Sequence, residues 1–335
     1  MFFFKPLRGI KPVFYFYCTL AFLGLVSTVQ AQTPEQRKNL EEIIARRNKE
    51  YAAFKLWLTP AKMKELGVVY KKGTTIPVDS ITGAVLVGLN ELGKPKYYKY
   101  RNLESGVTTS TSRVIVGGDL GLNLTGAGKR IHLWDGGLSR TTHQELRGRI
   151  TAASGNTTID DHATHVAGTM IGSGVRADAK GMATQANVYS FDFNNDISEI
   201  TSEALAGSRI SNHSYGISGG WEGNRWYGDV SVSTTIDYQF GYYNTDAHDL
   251  DALAFNSPYY LTCWAAGNDR SDVAVRNHQY QNSSGTWVNS TATRNNDGPY
   301  DCILPSQTAK NVLTIGAVSP VGSGRWNTPS NIVMS

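Results

Sequence analysis

DDHATHVAGTM, residues 160–170, sets two carboxylates against two histidines at i and i+3 and runs on into small residues of helical character. On a helix that spacing puts His162 and His165 on one face whatever they do there. The pair alone therefore fits a metal site, a catalytic base or ordinary packing, and the flanking sequence has to separate them.

Outward from that stretch the texture is an alternation of strand-like and helix-like segments. RIHLWD (130–135) precedes the helical 162–170 stretch. NVYSFDF, the helical ISEITSEALAGS, RISNHSY, the helical DAHDLDALAFN, YYLTCWAAG and NVLTIGAV follow in order. Such alternation predicts an α/β fold with a parallel sheet, whose ligands gather at the carboxyl ends of the strands. Residues 217–245 and the polar run 269–301 break the pattern and are expected to be long loops or insertions. Further upstream, Thr33, Pro34 and Gln36 have capping-box spacing, and Leu40, Ile43, Ile44, Tyr51, Phe54 and Leu58 fall near helical spacing. Short strand-like pieces (AVLVGLN, KYYKY) and a Ser/Thr run, SGVTTSTS, follow and predict a small α+β region ending in a linker.

The chemistry-bearing side chains fall where an α/β sheet would present them. Asp135 ends RIHLWD before Gly136 and Gly137, a sharp turn at the carboxyl edge. His162 opens a helix behind Asp160 and Asp161. Asn268 follows the apolar LTCWAAG, where a side-chain amide can donate to a developing oxyanion. Ser214, Tyr215 and Gly216 close RISNHSYG, a strand edge able to pair with an extended peptide. Each taken singly also fits a turn, a cap or a packing role.

WDGG, HATHVAGTM, NHSYG, AAGN and NVLTIGAV, in that order over about residues 113–320, closely resemble the subtilisin-like serine peptidases. The most specific element is HATHVAGT against the family's H-G-T-H-V-A-G-T. The resemblance implies a subtilisin-like parallel-sheet domain over 113–335. It implies His162 as general base, Asp135 as the carboxylate that orients it, Asn268 as oxyanion donor, and 214–216 as a wall of the substrate cleft, with His165 in a supporting place. A base needs a neutral imidazole with one nitrogen held by a carboxylate, which Asp135 can supply. A zinc site would want a third ligand, and none is evident, so no metal ligand is expected. Gly136 stands where the family has Ser or Thr, removing a hydroxyl that would help fix Asp135.

The family's nucleophile lies in a G-T-S-x-A segment, and residues 1–335 hold none. AGTM (167–170) belongs to the histidine helix, and SGTW (284–287) sits in the polar insertion. The expectation is a peptidase fragment lacking its serine and inactive as given, because the triad acts as a unit. A naturally short, peptide-binding pseudo-enzyme is the alternative. A hydrolase using a metal at His162 and His165 ranks third, with chelator sensitivity as its test. No cofactor is expected for catalysis. Structural calcium, common in the family, has no residue set here to be named as its ligands.

At the N-terminus, Lys5, Arg8 and Lys11 precede an apolar run, and Val29 and Ala31 hold the small-residue positions of a cleavage site. Residues 1–31 read as a signal peptide, 32–112 as a propeptide or accessory region, and the protein as secreted or cell-surface. Taking those three cations from the 32 basic residues leaves 29 against 28 acidic ones. Polypeptide substrates are then the expected partners, with no nucleic acid and no stable membrane association after signal cleavage. Cys18 falls within the signal, and Cys263 and Cys302 in an oxidising setting leave a disulfide or two separate thiols open.

Overall fold

The computed structural model describes residues 32–70, 75, 77–80, 85–100, 109–155, 157–176, 179–298 and 300–318. The expected signal segment 1–31 and the first half of SGVTTSTS, residues 105–108, lie outside them. No helix of the described residues is long and apolar enough to cross a membrane.

Helix α1 (Pro34–Trp57) starts as its sequence dictates: Thr33 accepts from the Gln36 N–H, and the Gln36 side chain accepts from the Thr33 N–H, closing a capping box. Its buried face carries Leu40, Ile43 and Phe54. After α2 (Pro60–Glu65), strands β1 (Val68–Tyr70), β2 (Pro77–Asp79), β3 (Val85–Leu89) and β4 (Pro95–Tyr100) form an antiparallel meander.

The main sheet comprises β5 (Arg130–Asp135), β6 (Ile150–Ala152), β7 (Asn187–Asp192), β8 (Ile210–His213), β12 (Leu261–Ala265) and β15 (Leu313–Ile315). Their order is β15-β12-β8-β5-β7-β6, and every pairing is parallel. From β5 the chain lays β6 and β7 on one side, then returns to lay β8 on the other. The switch point thus lies between β5 and β8, where an open α/β sheet binds its ligand.

Helix α3 (Asp161–Ile171) covers one face of the sheet, burying Val166, Ala167 and Ile171 with Leu133 and Val188. On the other face, α4 (Asp196–Leu205) and α5 (Thr245–Asn256) bury Ile200, Ala204, Leu250 and Leu253 with Trp134, Phe191 and Trp264. Leu40, Val85 and Val87 of the N-terminal region belong to that same cluster. Period-2 alternation sorts β5: Trp134 faces α4 and α5, while Leu133 and Asp135 face α3. His213 is stacked between Trp134 and Trp264, ring centroids 5.4 and 4.3 Å away, and burial pulls its pKa down to about 3. It is a neutral structural histidine.

One expectation needs correction. The segments read as loops contain β10 (Trp221–Glu222), β11 (Arg225–Trp226), β13 (His278–Gln281) and β14 (Trp287–Ser290), a second sheet in the order β10-β11-β13-β14. Strands of two to four residues are too short to reveal a period. They are fastened by cation–π contacts, Arg294 over Trp226 and Tyr280 at 4.0 and 4.8 Å and Arg225 over Trp287 at 4.3 Å. Of the two alternatives left open for Cys263 and Cys302, the structure has two separate thiols. The end of α3 packs closely where Gly172 meets Gly181, since a Cβ on Gly181 would lie 2.3 Å from the Gly172 nitrogen.

The Trp134 indole N–H donates to Glu199 Oε2 at 2.9 Å, and burial pushes that carboxyl up to about 8. A raised carboxyl pKa favours folding below the unfolded value near 4.5, an advantage lost as pH rises toward 8. Glu199→Gln keeps an acceptor for Trp134 and removes the charge. It is expected to raise the Tm at pH 9, by an amount worth a few kcal/mol at most, on the order of the linkage cost, and to change little at pH 4. An equal shift at both pH values in thermal unfolding would rule this out.

Candidate active site

The site grows from the end of β5. Because Asp135 shares the α3 face with Leu133, the strand aims its last side chain at the start of that helix. There Asp160 is the N-cap, its Oδ1 accepting from the His162 and Ala163 N–H groups at 2.9 and 3.1 Å. Strand end and helix start are stitched by backbone bonds from Leu138 N to Thr158 O (2.8 Å) and from Asp160 N to Leu138 O (2.9 Å). The Ser139 hydroxyl also donates to the Ala163 carbonyl at 3.0 Å. Gly137 has to be glycine for this approach, since a Cβ there would sit 2.9 Å from the Thr158 oxygen.

His162 Nδ1 consequently lies 2.7 and 2.9 Å from the two oxygens of Asp135. Asp135 is wholly buried and His162 partly so. Burial pushes the Asp135 carboxyl above its ordinary value, against the pull of the His162 ring and of the Gly136 N–H. That N–H donates to Asp135 Oδ1 at 2.7 Å. Asp135 is thus fixed by a main-chain donor that position 136 supplies whatever its side chain. A carboxylate on Nδ1 places the ring proton there and leaves Nε2 as the basic nitrogen, the arrangement a general base requires.

Asp135, Asp160 and His162 also form a group, among the described residues, with ligand atoms within 4.8 Å of one another. The same carboxylate oxygens already accept from helix and turn amides and from the His162 ring. His165 is exposed one turn along and outside the group.

The remaining candidates reach the same sheet edge on neighbouring strands. Ser214, half-buried, follows β8, and β9 (Tyr215–Ile217) continues from it. Tyr215 turns its ring into the core. Its side chain is fully buried, donating to Asp196 Oδ2 at 2.9 Å beside His213, and its carbonyl accepts from the Trp264 indole at 2.7 Å. Gly216 is buried, and the β9 edge is already paired. Strand β4 lies antiparallel on it, Tyr98 opposite Ile217, Lys99 opposite Gly216 and Tyr100 opposite Tyr215.

Asn268 lies three residues past β12, two strands along from β5 and hence about 10 Å away across the sheet. Gly267, at φ 124°, turns the chain there. Asn268 precedes a 3-10 turn at Asp269–Ser271 without spending its side chain on capping it, and that side chain is exposed.

Among solved structures, the chain is similar to fervidolysin from Fervidobacterium pennivorans, described as a keratinolytic enzyme related to subtilisin. Identity is 19%, over 53% of this chain and 31% of that one, with a TM-score of 0.33. It is also similar to MycP1 from Mycobacterium smegmatis, at 17% identity over 65% and 61% of the two chains and a TM-score of 0.33. The chain thus spans less than two thirds of the length of either structure. No curated protein matches it. The profile of the Subtilase family matches residues 130–331, which take in the whole six-stranded sheet, Asp135, His162 and Asn268, and the chain therefore belongs to the subtilase family.

Proposed function

We propose that this chain is the exported, precursor form of a serine endopeptidase, carrying every part of the acyl-transfer machinery described above except its nucleophile. The observation that carries the reading is His162 Nδ1 held by both oxygens of a buried carboxylate at the sheet's switch point. In the reaction, a serine supplied by sequence beyond these residues attacks the scissile carbonyl, and His162 Nε2 takes its proton. Asp135 stabilises the resulting imidazolium, and the Asn268 amide donates to the tetrahedral oxyanion. His162 then passes the proton to the leaving amine, and water, deprotonated by the same nitrogen, releases the acyl group.

Residues 1–31 act as the export signal. Residues 32–112 act as a propeptide, whose strand β4 occupies the β9 edge where substrate would pair. No cofactor takes part in the chemistry.

The test is direct. Residues 1–335 alone are expected to leave casein uncut and to resist labelling by a fluorophosphonate, while a chain continued through a G-T-S-x-A segment does both. Hydrolysis by residues 1–335 alone would overturn the reading, and abolition of that hydrolysis by a chelator would favour a metal at His162. A stop codon directly after codon 335 would favour the peptide-binding pseudo-enzyme, for which the paired β9 edge is the supporting observation.

A further inference from the structure

Across the junction between the N-terminal region and the peptidase domain, three carboxylates of the peptidase domain meet four cations of the N-terminal region. Asp229, Asp246 and Asp249 belong to the peptidase domain and are buried. Their lysine and arginine partners come from the N-terminal region, while Ser231, Asn244 and His248 of the peptidase domain also contact them. Lys94 Nζ is 2.5 Å from Asp229, and Lys96 is paired with Asp246. Arg47 lies 2.8 and 2.7 Å from Asp246 and Asp249, and Arg46 is 2.5 Å from Asp249. Although burial alone would raise the Asp246 carboxyl, Lys96 and Arg47 hold it well below the usual carboxylate range. The Arg225–Asp79 pair runs the other way.

Two of these cations lie just ahead of Tyr98–Tyr100, the stretch of β4 that pairs with β9. Lys94 and Lys96 are two residues apart, so they project from the same side of the extended chain. Tyr97, on the opposite side, is buried in a cluster that the N-terminal region shares with Tyr227 and Trp287 of the peptidase domain. Main-chain pairing to β9 is blind to sequence, so selection in strand addition has to come from pockets for alternate side chains. Buried ion pairs can provide that selection. They add little net stability over an apolar pair, but a partner of the wrong charge leaves a buried carboxylate unmatched. A cavity of about 610 Å3 adjoins Lys96, with Asp196, Ile217, Tyr238 and Asp246 among its walls. It leaves room for a guanidinium in place of the ammonium.

We propose that Asp229 and Asp246 form two acidic subsites flanking β9 that select polypeptides carrying Lys or Arg two and four residues ahead of the residue opposite Ile217. Asp196 reinforces the negative field of the Asp246 subsite, whose second cation is Arg47, and Lys96 and Lys94 of this chain are the occupants seen here. The inference rests on the reading of β9 as the substrate edge and adds to it a substrate class, polypeptides with alternate basic residues.

The test uses residues 32–335 with Lys94→Glu and Lys96→Glu, so that the chain's own strand is repelled from both aspartates. Binding of the labelled peptide KPKYYKY, the sequence of residues 94–100, is compared by fluorescence anisotropy with that of EPEYYKY. The basic peptide is expected to bind at least about tenfold more tightly, the equivalent of 1.4 kcal/mol, and to lose that advantage when Asp246→Asn is added. Equal binding of the two peptides overturns the acidic subsites and leaves the β9 edge standing, whereas binding of neither overturns both.

Should the double variant fail to fold, hydrogen exchange of the Tyr215–Ile217 amides in single variants serves instead. Protection is expected to persist in Lys96→Arg, to weaken in Lys96→Gln and to be lowest in Lys96→Glu. Equal protection across that series overturns the proposal.

Discussion

Asp135→Asn is expected to lower turnover by about 10^4-fold in a chain that also carries the serine, with little change in KM. The reason lies in the donor pattern at Nδ1. Asp135 offers the His162 ring two acceptor oxygens, 2.7 and 2.9 Å away, with the Gly136 N–H fixing one of them. An asparagine anchored by the same Gly136 N–H keeps its oxygen there and turns its amide N–H toward the ring. Nδ1 then becomes the acceptor and Nε2 carries the proton, the wrong tautomer for a base. Fold should survive, because size and burial are unchanged. Steady-state kinetics on a folded variant decides the matter: a loss below tenfold would remove Asp135 from the role of orienting His162.

The second large effect concerns the N-terminal region. Residues 109–335 produced without residues 32–100 are expected to lack cooperative unfolding and to regain it when that region is supplied in trans. Leu40, Val85 and Val87 share one buried cluster with Trp134, Phe191 and Trp264 of the peptidase domain, so removing them uncovers that core. Each such side chain is worth about 1.5–3 kcal/mol on burial. Stripping the cations from a buried carboxylate such as Asp249 costs about 3–5 kcal/mol more, until water or rearrangement relieves it. Together these approach the whole stability of a domain, about 5–15 kcal/mol. Near-UV circular dichroism with thermal melts is the measurement. A cooperative transition at the Tm of the longer chain would show that the region is dispensable to the fold.

What was legible in sequence shares one property: the signal sits within a single element. Period-3.6 spacing and Thr33/Gln36 mark α1, and the apolar run ending in Asp135 before two glycines marks β5. Asp160 before His162 marks the start of α3, so the face that carries His162 was readable before any contact was known. The α/β alternation followed from the same local patterns, and with it the carboxyl edge on which Asp135, Ser214 and Asn268 fall.

Everything that joins elements distant in the chain was decided by the tertiary structure. The Gly136 N–H on Asp135 is a backbone bond, and a backbone bond leaves no trace in residue type. Strand β4 pairs with β9 more than a hundred residues away through main-chain hydrogen bonds that any sequence can make. The charges of Lys94 and Lys96 are visible in the sequence, but that they face Asp229 and Asp246 follows from the fold. The small sheet built from β10, β11, β13 and β14 has strands too short to carry a period and is closed by arginines laid on aromatic rings. Local propensity and amphipathic spacing are encoded over a few consecutive residues. Pairing partners, shared cores and charge neighbours depend on distances that exist only once the chain has folded.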